Sequence, residues 1–263
     1  MDIPRLGIGT YKIKKDAAYS ITLNALKLGY RHIDTANLYK TEESVGKAIR
    51  DSGIPRDEIF VTTKISINHL KNKKILTGVQ RSFEMLGLDY IDLILLHRPV
   101  HHIENWKLLV EIYKEYGDKI RHIGVSNFST CHLSDIMQES DIIPYINQVE
   151  ITPFLIRDYL VTFCKKYNIK IVAHSSITKG EKLEDENLMR ISKEIGISPT
   201  KVLLRWGYQK GYYIIPRTEQ EDHLKENISI LNAPIDPKYI NELDSLNCGF
   251  ATHPQYIYDE DGL

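Results

Sequence analysis

Three side chains of different chemistry each close a short strand-like run: Asp34 in RHIDTA (31–36), Lys64 in IFVTTKI (59–65) and His97 in IDLILLH (91–97). A lysine ending an apolar run is costly to bury alone, because desolvation disfavours its charged form. It needs a carboxylate, and Asp34 is the expected partner. Neighbouring strands lie about 4.8 Å apart, so the ends of three adjacent strands fall within roughly 5 to 10 Å of one another. Tyr39 follows Asp34 by five residues, in a loop over the same rim.

These four residues make one kind of chemistry accessible. A phenol with an ordinary pKa near 10 donates poorly at neutral pH, and a neighbouring ammonium is expected to lower it. Tyr39 is then a tunable acid, Lys64 supplies the charge, Asp34 balances it, and His97 can hydrogen-bond a substrate oxygen opposite the phenol. A carbonyl placed there is polarised for reduction. No side chain donates hydride, so a nicotinamide cofactor has to supply it. Singly, each residue has an ordinary explanation: a turn aspartate, a snorkelling lysine, a satisfied buried histidine, one tyrosine among 16. The signal is their coincidence at three consecutive strand ends.

The elements that must position them read as repeated βα units. Besides the three runs above, GIGTY (7–11), IRHIGVS (120–126), YINQVEI (145–151), KIVAHSS (170–176) and YYIIPRT (212–218) read as strands, eight in all. Helical spacing fills the gaps: Ala18, Ile21, Ala25 and Leu28 share one face, and Ile75, Val79, Phe83 and Leu86 another. Polar residues recur where the strands end, at Ser126 and Asn127, Gln148 and Glu150, Ser175 and Ser176, and Arg217 and Thr218. That rim is where a βα barrel carries its active site. Eight units without a linker in 263 residues predict one α/β domain, a closed (β/α)8 TIM barrel over 1–263, with 248–263 as a C-terminal loop folded over one face. An open doubly wound sheet is the structural alternative. Its GxGxxG signature is absent, because GIGTYK (7–12) ends in Lys12.

Composition narrows the classes further. With 34 Lys plus Arg against 35 Asp plus Glu, the chain has no overall field for gripping nucleic acid or an anionic membrane. Its three cysteines are far apart, with no CxxC spacing, which points away from a disulfide framework or structural zinc and fits a reducing cytoplasm. MDIPRLGIGT lacks the apolar stretch of a signal peptide, and YIDLILLH (90–97) is too short to span a bilayer. A cytoplasmic monomer with a small-molecule carbonyl substrate is expected, with neither nucleic acid nor membrane as partner.

The sequence resembles the aldo-keto reductase family, its compact bacterial-type members in particular, from GIGTYKI (7–13) to KEN (225–227). RHIDTANLYKTEESVGKAI (31–49), VTTKI (61–65) and LGLDYIDLILLHRPV (86–100) are similar to the segments bearing the family's catalytic tetrad, which makes Asp34, Tyr39, Lys64 and His97 its counterparts here. IRHIGVSNF (120–128), INQVEITPF (146–154) and LLRWGYQKG (203–211) extend the match. The resemblance implies a (β/α)8 barrel that binds NADP(H) in extended form and reversibly reduces aldehydes or ketones. It implies that Ser126, Asn127 and Gln148 hold the nicotinamide carboxamide, that His174 and Ser175 in AHSSI (173–177) lie at the nicotinamide, and that Arg217, Thr218, His223 and Asn227 in IPRTEQEDHLKEN (215–227) meet the adenosine end.

Three departures bear on specificity. His174 stands where the family usually stacks a tyrosine, a smaller ring that can acquire charge. Arg217 replaces the common lysine and His223 the usual arginine, which weakens attraction for a 2′-phosphate at neutral pH while leaving Arg217 a bidentate contact. NADP(H) with measurable use of NAD(H) is expected. HRP replaces the common HWP, so Arg98 puts a cation near the entrance, and Tyr11 and Ile65 occupy positions where relatives often have tryptophan. Small or carboxylated, sugar-derived carbonyls are the expected substrates, met by Tyr11, Ile65, His97 and Arg98. Two other classes stand beside this reading. A cofactor-binding regulatory subunit of the same fold would have little turnover. A metal-dependent hydrolase would need a His and Asp cluster at matched strand ends, whereas of His97, His101 and His102 only one ends a strand.

Overall fold

The computed structural model describes residues 2–257. Eight strands form in chain order: β1 (Ile8–Gly9), β2 (His32–Asp34), β3 (Phe60–Ile65), β4 (Ile91–Leu96), β5 (Ile120–Ser126), β6 (Ile146–Glu150), β7 (Lys170–His174) and β8 (Tyr213–Ile214). Each pairs in parallel with the next. The ring closes where Leu6 bridges Ile214 and the Gly7 N–H donates to the Ile214 carbonyl over 2.9 Å. The chain is a (β/α)8 barrel, with helices such as Lys15–Lys27, Ile75–Leu86 and Pro199–Gln209 outside the strands.

Strand alternation divides the core in two. Side chains at every second position point outward and join one large cluster with the helices: Val61 and Ile65 on β3, Ile94 and Leu96 on β4, Ile123 and Val125 on β5. The intervening positions fill the barrel, where Phe60, Leu93, Leu95, Ile146 and Val172 pack with Ile3 and Ile215. Continued to the strand ends, the inward parity is that of Lys64, His97, Ser126, Gln148, Glu150 and His174. The apolar filling therefore gives way to polar groups at one mouth.

Two of the expected strands are much shorter than their sequence runs. β1 and β8 keep two residues each, and Arg217 and Thr218 lie three and four residues beyond Ile214, in the loop leading to the helix Glu221–Ile228. The first predicted helical face is buried at Ala18, Ile21 and Ala25, while Leu28 is a half-buried cap residue. Helix Glu42–Asp51 approaches helix Ile75–Leu86 so closely that a Cβ on Gly46 would lie 1.8 Å from the Leu86 carbonyl oxygen. No helix among the described residues is long and apolar enough to cross a membrane.

The expected C-terminal loop crosses the polar mouth. Cys248 and Phe250 donate backbone N–H bonds to the Phe154 carbonyl at 3.2 and 3.0 Å, and Thr252 and His253 donate theirs to the two oxygens of Glu150 at 2.7 and 3.1 Å. Residues 258–263 of that segment lie outside the described residues.

Candidate active site

At the mouth, Lys64 Nζ donates to Asp34 Oδ1 over 2.5 Å and to the Thr35 carbonyl over 3.1 Å. Both partners are almost fully buried, at 1% and 2% exposure. Burial pushes the Asp34 carboxyl up and the Lys64 ammonium down, and the two charges hold each other against that drift. The second Asp34 oxygen, Oδ2, accepts from Gln148 Nε2 over 2.8 Å. Tyr39 lies over the pair, its ring centroid 4.9 Å from Lys64 Nζ and 5.7 Å from the His97 ring. Thus the three residues read from the strand ends and Tyr39 from the following loop share one mouth.

The ionisation of Tyr39 corrects the expectation from sequence. Burial raises its phenol well above the ordinary range, and Asp34 and Tyr11 add to the shift. The nearby Lys64 ammonium, paired with Asp34, does not outweigh this burial. Burial, then Lys64 and Arg98, holds the His97 imidazole well below its usual range, so the ring is neutral. A neutral imidazole can donate one N–H without competing as a charge. Its buried Nδ1 has no partner among the described residues.

The turn that carries Tyr39 is tied down by a residue the sequence reading passed over. Glu42, 3% exposed, accepts from Asn37 Nδ2 over 3.0 Å, from Thr63 Oγ1 over 2.6 Å and from Ser82 Oγ over 2.6 Å. Asn37 opens the turn Asn37–Tyr39, so Glu42 joins it to β3 and to the helix Ile75–Leu86. The available signal was the sequence IFVTTKI itself, in which Thr63 faces outward and needs a polar partner.

The residues assigned to the nicotinamide are also brought together. Ser126 Oγ donates to the Gln148 carbonyl over 2.9 Å, and Asn127 Nδ2 donates to Ser126 Oγ over 3.0 Å and to the His97 carbonyl over 3.2 Å. Asn127 takes φ 61°, in the left-handed region that asparagine tolerates, as its turn crosses the rim. His174 Nε2 lies 3.1 Å from Asn127 Oδ1, and its Nδ1 3.1 Å from Ser175 Oγ. Burial lowers the His174 imidazole to about 3, with Glu150 opposing, which corrects the expectation that this ring acquires charge.

Of the four residues expected at the adenosine end, Thr218 and His223 meet directly. Thr218 Oγ1 lies 3.3 Å from His223 Nδ1. Asn227 is buried, and its Oδ1 has no partner among the described residues, as expected of an acceptor awaiting a ligand donor. Arg217, however, is ion-paired with Glu219 and donates to the Lys12 carbonyl over 2.9 Å. The donor and acceptor set, with its orphaned Asn227 oxygen, fits a nucleotide cofactor.

Around the entrance, Tyr11 is exposed, with its ring 5.1 Å from that of Tyr39, and the Arg98 guanidinium lies 3.8 Å over the Tyr256 ring of the tail. Ile65 is different. It is fully buried on the outer face of β3, where its Cγ2 would lie 3.0 Å from a Cβ on Gly78. It packs under a helix and does not line the mouth, because it has the opposite parity to Lys64.

Glu150 is the second residue left without a role. Burial pushes its carboxyl up, but His253, His174 and the Thr252 N–H outweigh that and hold it below the usual range. The sequence reading found no metal-ligand cluster at matched strand ends. The structure brings Glu150 and His174 into register across β6 and β7 and adds His253 from the tail, a return that spacing along the chain did not reveal.

A family model described as "Aldo/keto reductase family" matches residues 5–248. The chain is 38% identical over 251 residues to a 9,11-endoperoxide prostaglandin H2 reductase of Trypanosoma cruzi, covering 93% of this chain and 88% of that one. It is 36% identical over 262 residues to a glycerol 2-dehydrogenase (NADP(+)) of Saccharomyces cerevisiae, covering 87% and 83%. Among solved structures, an aldo-keto reductase from a Medee basin deep-sea metagenome library superposes with a TM-score of 0.91 at 34% identity, covering 100% and 96%.

Proposed function

The chain belongs to the aldo/keto reductase family of nicotinamide-dependent oxidoreductases acting on carbonyl compounds, and from that premise we propose that it reduces small, polar or carboxylated aldehydes and ketones with NADPH, accepting NADH as well. The observation that carries this reading is the buried Asp34–Lys64 pair at 2.5 Å with Tyr39 and His97 around it. A bound dinucleotide supplies the hydride. Ser126, Asn127 and Gln148 offer its carboxamide donors and acceptors, His174 offers a ring face, and Arg217, Thr218, His223 and Asn227 offer the contacts for its adenosine end.

Around the substrate oxygen, Tyr39 and His97 act from two sides. The His97 imidazole, held neutral, hydrogen-bonds the carbonyl oxygen and orients it. As negative charge develops there, the Tyr39 hydroxyl gives up its proton, and the phenolate left behind faces the Lys64 ammonium. Two of the three Lys64 N–H groups are directed to Asp34 and Thr35, which leaves one for the phenolate oxygen. A raised phenol pKa suits this direction, since the donor stays protonated until the alkoxide demands it. Proton return from solvent restores Tyr39.

Arg98 at the entrance supports the preference for carboxylated substrates, and the NADP(+) in the yeast relative's name supports the dinucleotide. The test is turnover of an aldehyde panel, followed by nicotinamide absorbance, with wild type and Tyr39→Phe. The variant is expected to lose at least about 100-fold in kcat while binding dinucleotide normally. Undiminished turnover by Tyr39→Phe would falsify the assignment.

A further inference from the structure

Glu150 and His174 are register partners at the ends of β6 and β7, and the tail sets His253 against them. His253 Nδ1 lies 3.6 Å from Glu150 Oε2, and its ring centroid is 5.9 Å from that of His174, the two rings nearly perpendicular at 86°. One donor atom from each of the three lies within 4.8 Å of the other two. Neither Glu150 nor His253 has a part in the proton transfer described above. We propose that these three residues form a binding site for a divalent transition-metal ion, zinc foremost, and that the ion and the nicotinamide ring exclude each other.

Donor chemistry supports the choice of ion. Two imidazoles and one carboxylate with an open fourth position suit zinc, whereas an oxygen-rich set would favour magnesium or calcium. Bonds of about 2.0 to 2.1 Å in a tetrahedral site require donors about 3.4 Å apart. The Glu150–His253 pair is already close to that separation at 3.6 Å, and His174, with a donor within 4.8 Å of both, completes the set by moving closer and giving up one of its two present partners. Each Glu150 oxygen accepts one tail N–H and retains a second lone pair.

The surroundings also suit ligation. With one His174 nitrogen on the ion, the other keeps Ser175 or Asn127 as its orienting partner, as a metal-bound histidine requires. His253 is braced by a stacked Tyr256 ring at 5.2 Å, which itself lies under Arg98. Ligation would therefore fasten the tail across the mouth while occupying the ring that faces the nicotinamide. This exclusion rests on the proposed dinucleotide site; the ion site itself does not.

Calorimetric titration of zinc into the full chain carrying Cys131→Ser and Cys248→Ser, which removes the exposed thiols, is expected to show one ion per chain. Adding His253→Ala should weaken zinc at least tenfold and leave dinucleotide affinity unchanged in metal-free protein. Equal zinc affinity with and without His253, or no binding at all, overturns the site. Cobalt(II) gives a reading on the unaltered trio should the variant fold poorly: intense visible bands of a four- or five-coordinate ion support the site, and the weak bands of a six-coordinate ion overturn it. Dinucleotide titration by fluorescence quenching, with and without saturating zinc, reads the exclusion. A rise of at least tenfold in dinucleotide Kd, absent in His253→Ala, supports it, and simultaneous binding of both overturns it. Failure to bind dinucleotide even without zinc sinks the proposed function and leaves the ion site standing on the calorimetry.

Discussion

Gln148 Nε2 donates to Asp34 Oδ2 over 2.8 Å, linking the sixth strand to the second across the barrel mouth. Asp34 thereby holds both the ammonium that faces the phenol and an amide assigned to the nicotinamide. Removing the carboxylate charge with Asp34→Asn leaves Lys64 buried without its counter-charge, and removing the ammonium with Lys64→Met leaves Asp34 in the same position. Each is expected to cost about 3 to 5 kcal/mol of stability and most of the turnover. The double variant Asp34→Asn/Lys64→Met should recover much of the stability and none of the activity. Urea unfolding of the three proteins checks this, and purely additive losses would show that the pair is not coupled.

The pH dependence follows from the raised Tyr39 phenol. A raised pKa keeps the protonated donor in place, so kcat for reduction should stay flat from about pH 6 to about pH 9. Alcohol oxidation needs the phenolate and should climb across the same range. Rate profiles in both directions are the measurement. A reduction profile falling through neutrality would mean that Lys64 tunes the phenol after all.

Cofactor choice should turn on Glu219. Its carboxylate pairs with Arg217, the permanent cation proposed to meet a 2′-phosphate, and so would compete with that phosphate for the guanidinium. The pair is partly exposed, so solvent screening limits the effect. Glu219→Gln is expected to raise the NADPH to NADH ratio of kcat/KM by roughly three- to tenfold. An unmoved ratio would remove Arg217 from the phosphate contact.

Substrate charge should be read at Arg98, stacked on Tyr256. Arg98→Ala is expected to raise KM for a sugar-acid aldehyde about tenfold, with little change for its neutral counterpart. Improvement of anionic substrates by Arg98→Trp would contradict this role.

Turn geometry gives a fifth handle. Glu42→Gln weakens the tie between Asn37, Thr63 and Ser82, and so loosens the turn beneath Tyr39 without touching substrate. A fall in kcat with cofactor affinity retained is expected, because positioning of the phenol is the quantity lost. Equal losses in kcat and cofactor binding would instead indicate general destabilisation.

Much of this was legible along the chain. The periods of the repeated runs and the polar residues that end them depend only on local alternation, so the barrel and the meeting of Asp34, Lys64 and His97 could be read without coordinates. Tertiary structure alone decided what depends on depth and on chain return. Ile65 turned out to face a helix, because its neighbour Lys64 takes the inward parity. The Tyr39 phenol rose instead of falling, because its local dielectric and the balance of Lys64 by Asp34 are set by packing from several strands. Glu42, Gln148 and the trio of Glu150, His174 and His253 acquired their partners from segments up to a hundred or so residues away, and no local period encodes such a meeting.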